Sequence, residues 1–416
     1  MKILKLSPYY FPERISSSHL TEDLERGYID AGHEIEVICP TPTRGVSAAE
    51  RAKYKKIRYE EKEGGKIKVH RFPMMREKHN PVLRALRYFA VQSVQKSKGK
   101  KVKDVDLIYG GSTPPTQGIL CGKVARALSK KQGKKVPFIY NLQDVFPDSL
   151  VTTGLAKKGG LLWKIGRKIE NKTYANADKI IVISEDIKKN IMDKGVPEEK
   201  IALIGNWIDT ETVRPIPYAE NKLAKELGIA DGKFRVVYAG NLGLAQGVDT
   251  LISAAKLLEN EKEIEFLIFG RGAAEAELKK QAEGAANIRF FPLQPVERVP
   301  EVYSLGDACA VLCKAGTGGA GLPSKTWSIM GCGRPLLLSF DDGELTDTVK
   351  KANAGLCAPA EDAEALAENV KKLAKEKELT RQLGENARAY AVAHTGKEQA
   401  IEKYLKLLDE ALGEAR

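Results

Sequence analysis

The sequence contains no uninterrupted apolar stretch of the length that crosses a bilayer, about 18–20 residues. A secretory signal is also missing, because the short apolar start is broken by Pro8 and Pro12. No long Ser, Gln or Pro tract of the kind that marks disordered chains occurs. These absences exclude a membrane-spanning or largely disordered protein and predict a folded, cytoplasmic one.

Metal-binding and disulfide patterns are lacking too. The six cysteines form no C-x-x-C pair, and the five histidines show no ligand spacing. We therefore expect reduced thiols in the core, no metal site and no bound cofactor.

Positive charge, in contrast, is abundant and unevenly placed. The net charge is +12, and residues 44–101 alone hold 18 Lys and Arg against 5 Glu. Such a stretch suits nucleic acid, an anionic bilayer or an anionic substrate.

Short β-rich runs alternate with helical patterns in two series, which predicts an α/β protein with two doubly wound, Rossmann-like domains. Residues 206–218, with two prolines and no clear period, separate the series. We expect the domains to face each other across a cleft and ligands to bind beyond the carboxyl ends of the strands. The predicted strands are 2–7, 34–39, 66–71, 106–110, 138–141, 179–184, 200–205, 235–240, 265–270, 287–291, 308–313 and 335–339.

Residues 316–321 read GTGGAG, a G-x-G-x-x-G pattern with Asp341 twenty residues further on. This is the outline of a dinucleotide fingerprint. Against it, the motif begins so late that too little chain remains for a dinucleotide fold, and no histidine is placed for hydride transfer.

A diphosphate suits the same residues better. Glycines let backbone N–H groups approach an anion, and Pro323 fits a first helical turn. Ser324 and Lys325 add a hydroxyl and an ammonium group at the same place. The alternative is a plain flexible turn.

Two further loops follow strands in the same domain. One, within 238–255, carries Gly240, Gly243 and Gly247, and the other is FGRG at 269–272 with Arg271. Each alone is typical of an ordinary strand–helix turn, but together they favour a phosphate site at the ends of three strands.

The chain resembles glycosyltransferase family 4, which has the two-domain GT-B fold, and in particular bacterial enzymes of O-antigen, capsule and colanic-acid assembly. The resemblance covers nearly the whole chain and rests on the order and spacing of several motifs. These are PYYFPE, STPPTQG at 112–118, YNLQDVFPDSL at 140–150, VISEDIKKNI at 182–191, GNWID at 205–209, AGNLGLAQG at 239–247 and GLPSKTWSIMGCGRPLLL at 321–338.

The resemblance implies an acceptor domain of residues 1–205 with 396–416, and a nucleotide-sugar domain of residues 206–395. It implies retaining transfer without a metal, in which positive groups stabilise the leaving diphosphate. Lys325 and Arg271 would supply that charge. The residues implied for donor binding are Gly240, Asn241, Gln246, Gly272, Gly318, Gly319, Gly321, Leu322, Pro323, Ser324 and Ser328.

The chain departs from the family pattern at two points. The paired glutamates of many members fall on Gly318–Ala320 and on Ser328, and the Arg and Lys of the first donor loop on Asn241 and Gln246. Binding of the diphosphate would then depend more heavily on Lys325 and Arg271. A degenerate binder without catalysis is an alternative.

In the first domain, Gln143 and Asp144 follow a strand, and the resemblance puts them near the reacting sugar. Asp144 could accept the proton of the acceptor hydroxyl, or could cap a turn before Pro147. Glu13 and Ser16, Ser17 and Ser18 stand where the family has an acceptor loop, although Ser18 could simply cap the next helix.

Within the basic stretch, residues 80–101 predict an amphipathic helix with Leu86 and Phe89 on its apolar stripe and Arg84, Arg87 and the lysines of 96–101 beside it. This favours an interfacial helix on the anionic inner face of the plasma membrane. The alternative is a helix buried on its own sheet. No groove-reading motif indicates nucleic acid.

The expected activity is transfer of a sugar onto a polyprenyl-diphosphate-linked saccharide in surface polysaccharide assembly. The resemblance favours an N-acetylated sugar from UDP, with GDP-mannose as the rival donor. A non-hydrolysing UDP-sugar 2-epimerase shares the fold and is the alternative enzyme.

Overall fold

The computed structural model describes residues 1–13, 18–77, 81–152, 156–318 and 322–415. The chain forms two compact units, the first of Met1–Gly205 with Glu398–Arg416 and the second of Asn206–Lys397. Each unit is a sheet covered by helices on both faces, as the alternating pattern predicted.

The first unit has an eight-stranded sheet in the order β3-β4-β2-β1-β5-β6-β7-β8. All pairings are parallel except that between β3 and β4. The strands are β1 Lys2–Leu6, β2 Glu34–Pro40, β3 Tyr59–Lys62, β4 Ile67–Phe72, β5 Leu107–Gly111, β6 Phe138–Leu142, β7 Lys179–Val182 and β8 Ile201–Leu203. The helices are α1 Ser18–Asp30, α2 Ala48–Lys56, α3 Pro81–Gly99, α4 Gln117–Gln132, α5 Asp148–Thr152, α6 Leu161–Asn176 and α7 Glu185–Asp193.

The second unit has a parallel six-stranded sheet in the order β11-β10-β9-β12-β13-β14. Its strands are β9 Phe234–Asn241, β10 Ile264–Arg271, β11 Ile288–Phe291, β12 Ala308–Leu312, β13 Leu336–Phe340 and β14 Gly355–Pro359. Its helices are α8 Lys222–Glu226, α9 Val248–Leu257, α10 Glu275–Gln281, α11 Val299–Ser304, α12 Lys325–Gly331, α13 Glu344–Lys351, α14 Ala363–Lys375 and α15 Lys377–His394. The sequence ends in α16, Lys397–Gly413.

Helix α16 packs within the first unit. Its Tyr404 and Leu408 are buried, and a β-carbon on Gly27 of α1 would lie 2.4 Å from a methyl group of Ile401. Lys179 of β7 donates to Glu414 at 2.7 Å. Glycine is therefore required where α1 and α16 cross closely.

The segment 206–217 is fixed in place although its only regular backbone pairing is an isolated β-bridge between Ile208 and Gly396. Trp207 and Ile208 are buried. Arg388 of α15 donates to the carbonyl oxygens of Val213 at 2.9 Å and Thr210 at 2.8 Å. The segment is thus packed into the second unit.

All six cysteines are free thiols, and five of them are buried. Burial raises the pKa of Cys39 and Cys332 to about 12. These thiols are therefore weak nucleophiles that serve as apolar packing groups.

Candidate functional site

The second unit reverses its strand order beside β9. From β9 the chain adds β10 and β11 on one side and then returns to place β12 on the other. In open α/β sheets the crevice at such a switch point, beyond the carboxyl ends of the strands, binds ligands. The loops after β9, β10 and β12 meet at this edge.

Lys325, the first residue of α12, reaches back over the end of β9. Its Nζ lies 4.0 Å from the centre of the Tyr238 ring. A β-carbon on Gly240 would lie 2.8 Å from the same Nζ, and Gly240 has a φ of 150°. The missing side chain at Gly240 therefore makes the space that the ammonium group occupies.

Burial lowers the pKa of Lys325 to about 7. The cause is desolvation, and no charged group among the described residues contributes to the shift. Lys325 is half-buried and has no carboxylate partner among the described residues, so an anionic ligand would offset the cost of desolvating its charge.

The loops after β9 and β10 interlock. The backbone N–H of Leu242 donates to the carbonyl of Arg271 at 3.1 Å, and the N–H of Ala274 donates to the carbonyl of Leu242 at 2.9 Å. A β-carbon on Gly272 would lie 2.3 Å from the Leu242 carbonyl oxygen. Asn241 and Arg271 are register partners at the last paired position of β9 and β10, and both residues are exposed.

Asp341, at the end of β13, holds the start of the glycine loop. Its carboxylate accepts the N–H groups of Gly316 at 3.1 Å and Gly318 at 2.8 Å. The carboxylate of Asp341, the acidic residue of the dinucleotide pattern, therefore stabilises the glycine loop. Its oxygens are occupied by these hydrogen bonds and are not positioned to bind a ribose. Lys314, paired with Asp249 at 2.5 Å and Glu361 at 2.8 Å, fixes the loop from the other side.

The remaining predicted donor residues lie on this loop and on α12. Leu322 packs on the core, the carbonyl of Pro323 accepts the N–H of Thr326 at 3.0 Å, and Ser324 is exposed. Ser328 is half-buried one helical turn after Lys325. Gln246 is half-buried before Gly247, while Gly319 and Gly321 lie outside the described residues.

Tyr238 is a residue that the sequence reading missed. It is fully buried, and its hydroxyl donates to the carbonyl of Asn241 at 2.8 Å. It thus ties the β9 turn to the lysine above its ring. An aromatic residue two positions before the first glycine was the available signal.

In the first unit, Gln143 and Asp144 follow β6 at the carboxyl edge of the sheet. Gln143 donates to Asn141 at 2.8 Å, and Asn141 donates to the hydroxyl of Tyr109 at 2.6 Å. The backbone N–H of Gln143 donates to Ser112 after β5 at 3.2 Å. Neighbouring strand ends therefore hold Gln143.

Asp144 itself has a solvent-accessible side chain, yet the protein around it displaces part of its hydration. This desolvation raises the pKa of its carboxyl group above the ordinary value. A raised pKa makes a carboxylate a better proton acceptor, provided that the pH keeps it ionised.

Glu13 is buried, and its carboxylate accepts the backbone N–H groups of Thr43 at 2.6 Å and Arg44 at 2.8 Å, and of Tyr10 at 3.2 Å. Burial raises its pKa, while these hydrogen bonds oppose the rise. Glu13 thus joins the loops after β1 and β2. Ser16 and Ser17 lie outside the described residues, and Ser18 begins α1.

The basic helix of residues 80–101 forms α3 from Pro81. Leu86 and Phe89 are 55% and 61% exposed, so the alternative of a fully buried apolar stripe does not hold for them. Val94 instead packs on the core. Arg87 was expected at the surface beside the stripe, but it is only 1% exposed. Its N–H groups donate to the hydroxyl of Thr43 at 3.0 Å and to the carbonyl of Met75 at 3.3 Å, which compensates for its burial.

A second exposed apolar set lies on α6, which the sequence reading did not single out. Leu161 is 78% exposed, and Leu162 and Ile165 are about half exposed, with Lys164 and Lys168 exposed beside them. Helices α3 and α6 both pack against α4, and both begin at the carboxyl edge of the sheet because each precedes a parallel strand. The two sets therefore lie at the same end of the unit.

Among the described residues, no helix is both long enough and apolar enough to span a bilayer. Within the same residues, no three His, Cys, Asp or Glu side chains are grouped as metal ligands.

Two family models match the chain, one for each half. Residues 18–212 match Glycosyltransferase Family 4, and residues 219–390 match Glycosyl transferases group 1. Together they cover the second sheet and all strands of the first except β1.

Among curated proteins, the putative colanic acid biosynthesis glycosyl transferase WcaI of Escherichia coli K12 is 28% identical over 97% of this chain and 99% of its own. The probable glycosyltransferase WbjE of Pseudomonas aeruginosa is 28% identical over 63% of this chain and 64% of its own.

Among solved structures, sucrose-phosphate synthase of Thermosynechococcus elongatus superposes with a TM-score of 0.76 at 17% identity, over 99% of both chains. Anabaena HepE in complex with UDP gives a TM-score of 0.71 at 18% identity, over 99% of this chain and 100% of that one. At these identities the likeness concerns the fold, and it agrees with the two parallel-sheet units.

Proposed function

The chain belongs to the glycosyltransferases of the GT-B fold, and on that premise we propose that it moves a sugar from a nucleotide donor onto a polyprenyl-diphosphate-linked saccharide in surface polysaccharide assembly. The observation that carries the proposal is the ammonium group of Lys325, which is half-buried at the strand-order reversal of the second unit and forms no ion pair with the residues that the structure describes. That group suits the diphosphate of a nucleotide sugar.

The donor is proposed to bind the second unit. Lys325 and Arg271 would contact the diphosphate, with backbone N–H groups of the glycine loop beside them. As the sugar leaves, negative charge grows on the diphosphate, and fixed positive groups that stabilise this charge lower the barrier. Such groups would replace a metal, so we propose metal-independent, retaining transfer.

UDP is the proposed nucleotide, carrying an N-acetylated sugar. HepE, which shares the fold, has been solved with UDP and with UDP-glucose, and this supports a uridine nucleotide. The N-acetylated sugar follows from the resemblance to enzymes of surface polysaccharide assembly. WcaI, a putative glycosyl transferase of colanic acid biosynthesis that is similar along nearly the whole chain, supports the same setting.

The acceptor is proposed to bind the first unit, with Asp144 receiving the proton of the attacking hydroxyl. Its raised pKa supports that role. An acceptor held in a membrane requires a docked enzyme, and the exposed Leu86 and Phe89 of α3 beside basic residues suit an anionic bilayer. The exposed apolar residues of α6 extend the same surface.

The test is a transfer assay with UDP- and GDP-sugars and a synthetic polyprenyl-diphosphate-linked acceptor in vesicles, run with and without EDTA. We expect a longer lipid-linked product from a UDP-sugar, equally in both conditions. Release of an epimerised free sugar would indicate the epimerase instead. Donor binding without any product would indicate a binder, and activity lost to EDTA and restored by Mn²⁺ would refute the metal-independent mechanism.

A further inference from the structure

Five arginine side chains gather at the carboxyl edge of the first unit's sheet, in the segments that follow β2 and β4 and on the first turns of α3. This arginine cluster consists of Arg44, Arg51, Arg76, Arg84 and Arg87. Two of its members bind one carboxylate: Arg84 lies 3.1 Å and Arg87 3.8 Å from Glu77. The cluster is thus held by contacts within one unit.

Positive charge exceeds negative charge in the cluster. Glu13 and Glu77 approach the cluster, and Glu77 also accepts the hydroxyl of Tyr9 at 2.7 Å. Burial and the guanidinium groups of Arg76 and Arg87 lower the pKa of Arg51. Arg51, Arg76 and Arg87 are therefore close enough to repel one another, and an additional anion would relieve this repulsion.

Arg87 forms the buried base of the cluster. It is 1% exposed, and its Nη1, although 3.8 Å from a carboxylate oxygen of Glu77, makes no hydrogen bond among the described residues. A buried donor without an acceptor destabilises the fold. Arg44 and Arg87 both approach the ring of Tyr9, at 5.7 and 5.5 Å, and the exposed Arg44 and Arg76 lie at the rim. An oxygen-rich anion entering from the rim would meet this donor.

The surroundings of the cluster are apolar as well as basic. Leu86 and Phe89 lie on α3 next to Arg84 and Arg87, and both are exposed. A ligand that is anionic at one end and apolar at the other satisfies both features. Arginine binds phosphate oxygens in pairs through its planar fork, so a diphosphate is a well-matched anion.

We propose that the arginine cluster binds the diphosphate of the polyprenyl-diphosphate-linked acceptor. The inference rests on the proposed function and specifies where its acceptor binds. Strand β2 is three strands from β6, so the cluster lies about 14 Å along the sheet edge from Asp144, from strand spacing alone. A short saccharide attached to the diphosphate can bridge this separation to place its hydroxyl at Asp144.

Geranyl diphosphate, a soluble mimic, tests the inference by calorimetry with UDP at saturation, so that the donor site is filled. The double variant Arg44→Gln/Arg76→Gln removes two exposed members of the cluster. Lys55→Gln/Lys56→Gln on α2 removes the same charge outside it and is the matched control. We expect the arginine variant to bind geranyl diphosphate at least about tenfold more weakly, with melting temperature and UDP affinity unchanged, and the lysine variant to match the parent.

Equal affinity in all three proteins, or no binding of geranyl diphosphate by the parent, would overturn the inference. The inference would also be overturned if the arginine variant no longer bound phosphatidylglycerol vesicles but bound geranyl diphosphate as the parent does. The cluster would then bind lipid headgroups. UDP affinity, measured separately in the same proteins, reports on the donor site. A failure of the proposed function is thereby distinguished from a failure at the cluster.

Discussion

The ammonium group of Lys325 lies against the face of Tyr238, 4.0 Å from the ring centre, at the place where Gly240 has no side chain. The ring supplies partial negative charge without a carboxylate. The lysine therefore remains available to an anion.

We predict that Lys325→Ala weakens binding of UDP by about 1.5–3 kcal/mol, the range for one charge-assisted hydrogen bond. The fold should persist, because Lys325 is half-buried and lies outside the hydrophobic core. Calorimetry with Lys350→Ala, an exposed lysine of the same unit, is the control. Unchanged affinity in a folded Lys325→Ala protein would remove this lysine from the site.

The affinity for a UDP-sugar should depend on pH through the same residue. With a pKa of about 7 in the free protein, Lys325 is charged below that pH, so affinity is nearly constant there. Above it, binding must also take up a proton, and affinity falls by up to about tenfold per pH unit until the pKa of the complex is reached.

Calorimetry from about pH 6.5 to about pH 8.5 measures the slope, and a UDP-sugar is used because its diphosphate has no terminal phosphate that titrates there. Lys325→Arg, which stays charged throughout, should bind without the slope. A parent protein whose affinity is flat over this range contradicts the prediction.

We predict that Asp144→Asn reduces transfer by about 10²- to 10⁴-fold, the usual contribution of a general base, and leaves donor affinity unchanged. Since the pKa of Asp144 is raised, the parent's activity should fall as the pH drops through a value above the ordinary one for aspartate. Asp193→Asn, on the exposed end of α7, should behave as the parent. Full activity in Asp144→Asn would assign this residue to the turn before Pro147.

Leu86→Ser/Phe89→Ser should weaken co-sedimentation with anionic vesicles by about 1–2 kcal/mol per side chain, because apolar area is withdrawn from the bilayer. The melting temperature should not change, since both residues are exposed. Leu161→Ser/Leu162→Ser should have the same effect, whereas Leu257→Ser/Val296→Ser in the second unit should have none. If the parent protein does not sediment with such vesicles, the prediction that α3 and α6 form a membrane-binding surface is wrong.

The sequence predicted the strands that are apolar runs bounded by turns, including β8 and β11 at the sheet edges. It missed β3, whose residues YEEK pair on one side only, and β14, another edge strand. At an edge, backbone pairing forms a strand without requiring apolar side chains.

The glycine loops of the candidate site were also predictable, since glycine and a following helix leave a local pattern. Contacts between segments that are distant in the sequence could not be predicted. The burial of Arg87 depends on Glu77 and on Thr43, and helical spacing gives only the face on which a side chain lies. The same limit hid the exposed residues of α6, whose apolar pattern predicts burial.

The position of α16 has a consequence for the order in which the protein folds on the ribosome. Residues 398–416 complete the first unit, yet they are synthesised after the whole of residues 206–397. Until these residues emerge, Gly27 of α1 cannot pack against Ile401. Asn141 likewise cannot form its contact with the hydroxyl of Tyr404, which is 3.4 Å away in the folded protein. The second unit, continuous in the sequence, can fold while the first still waits for its closing helix.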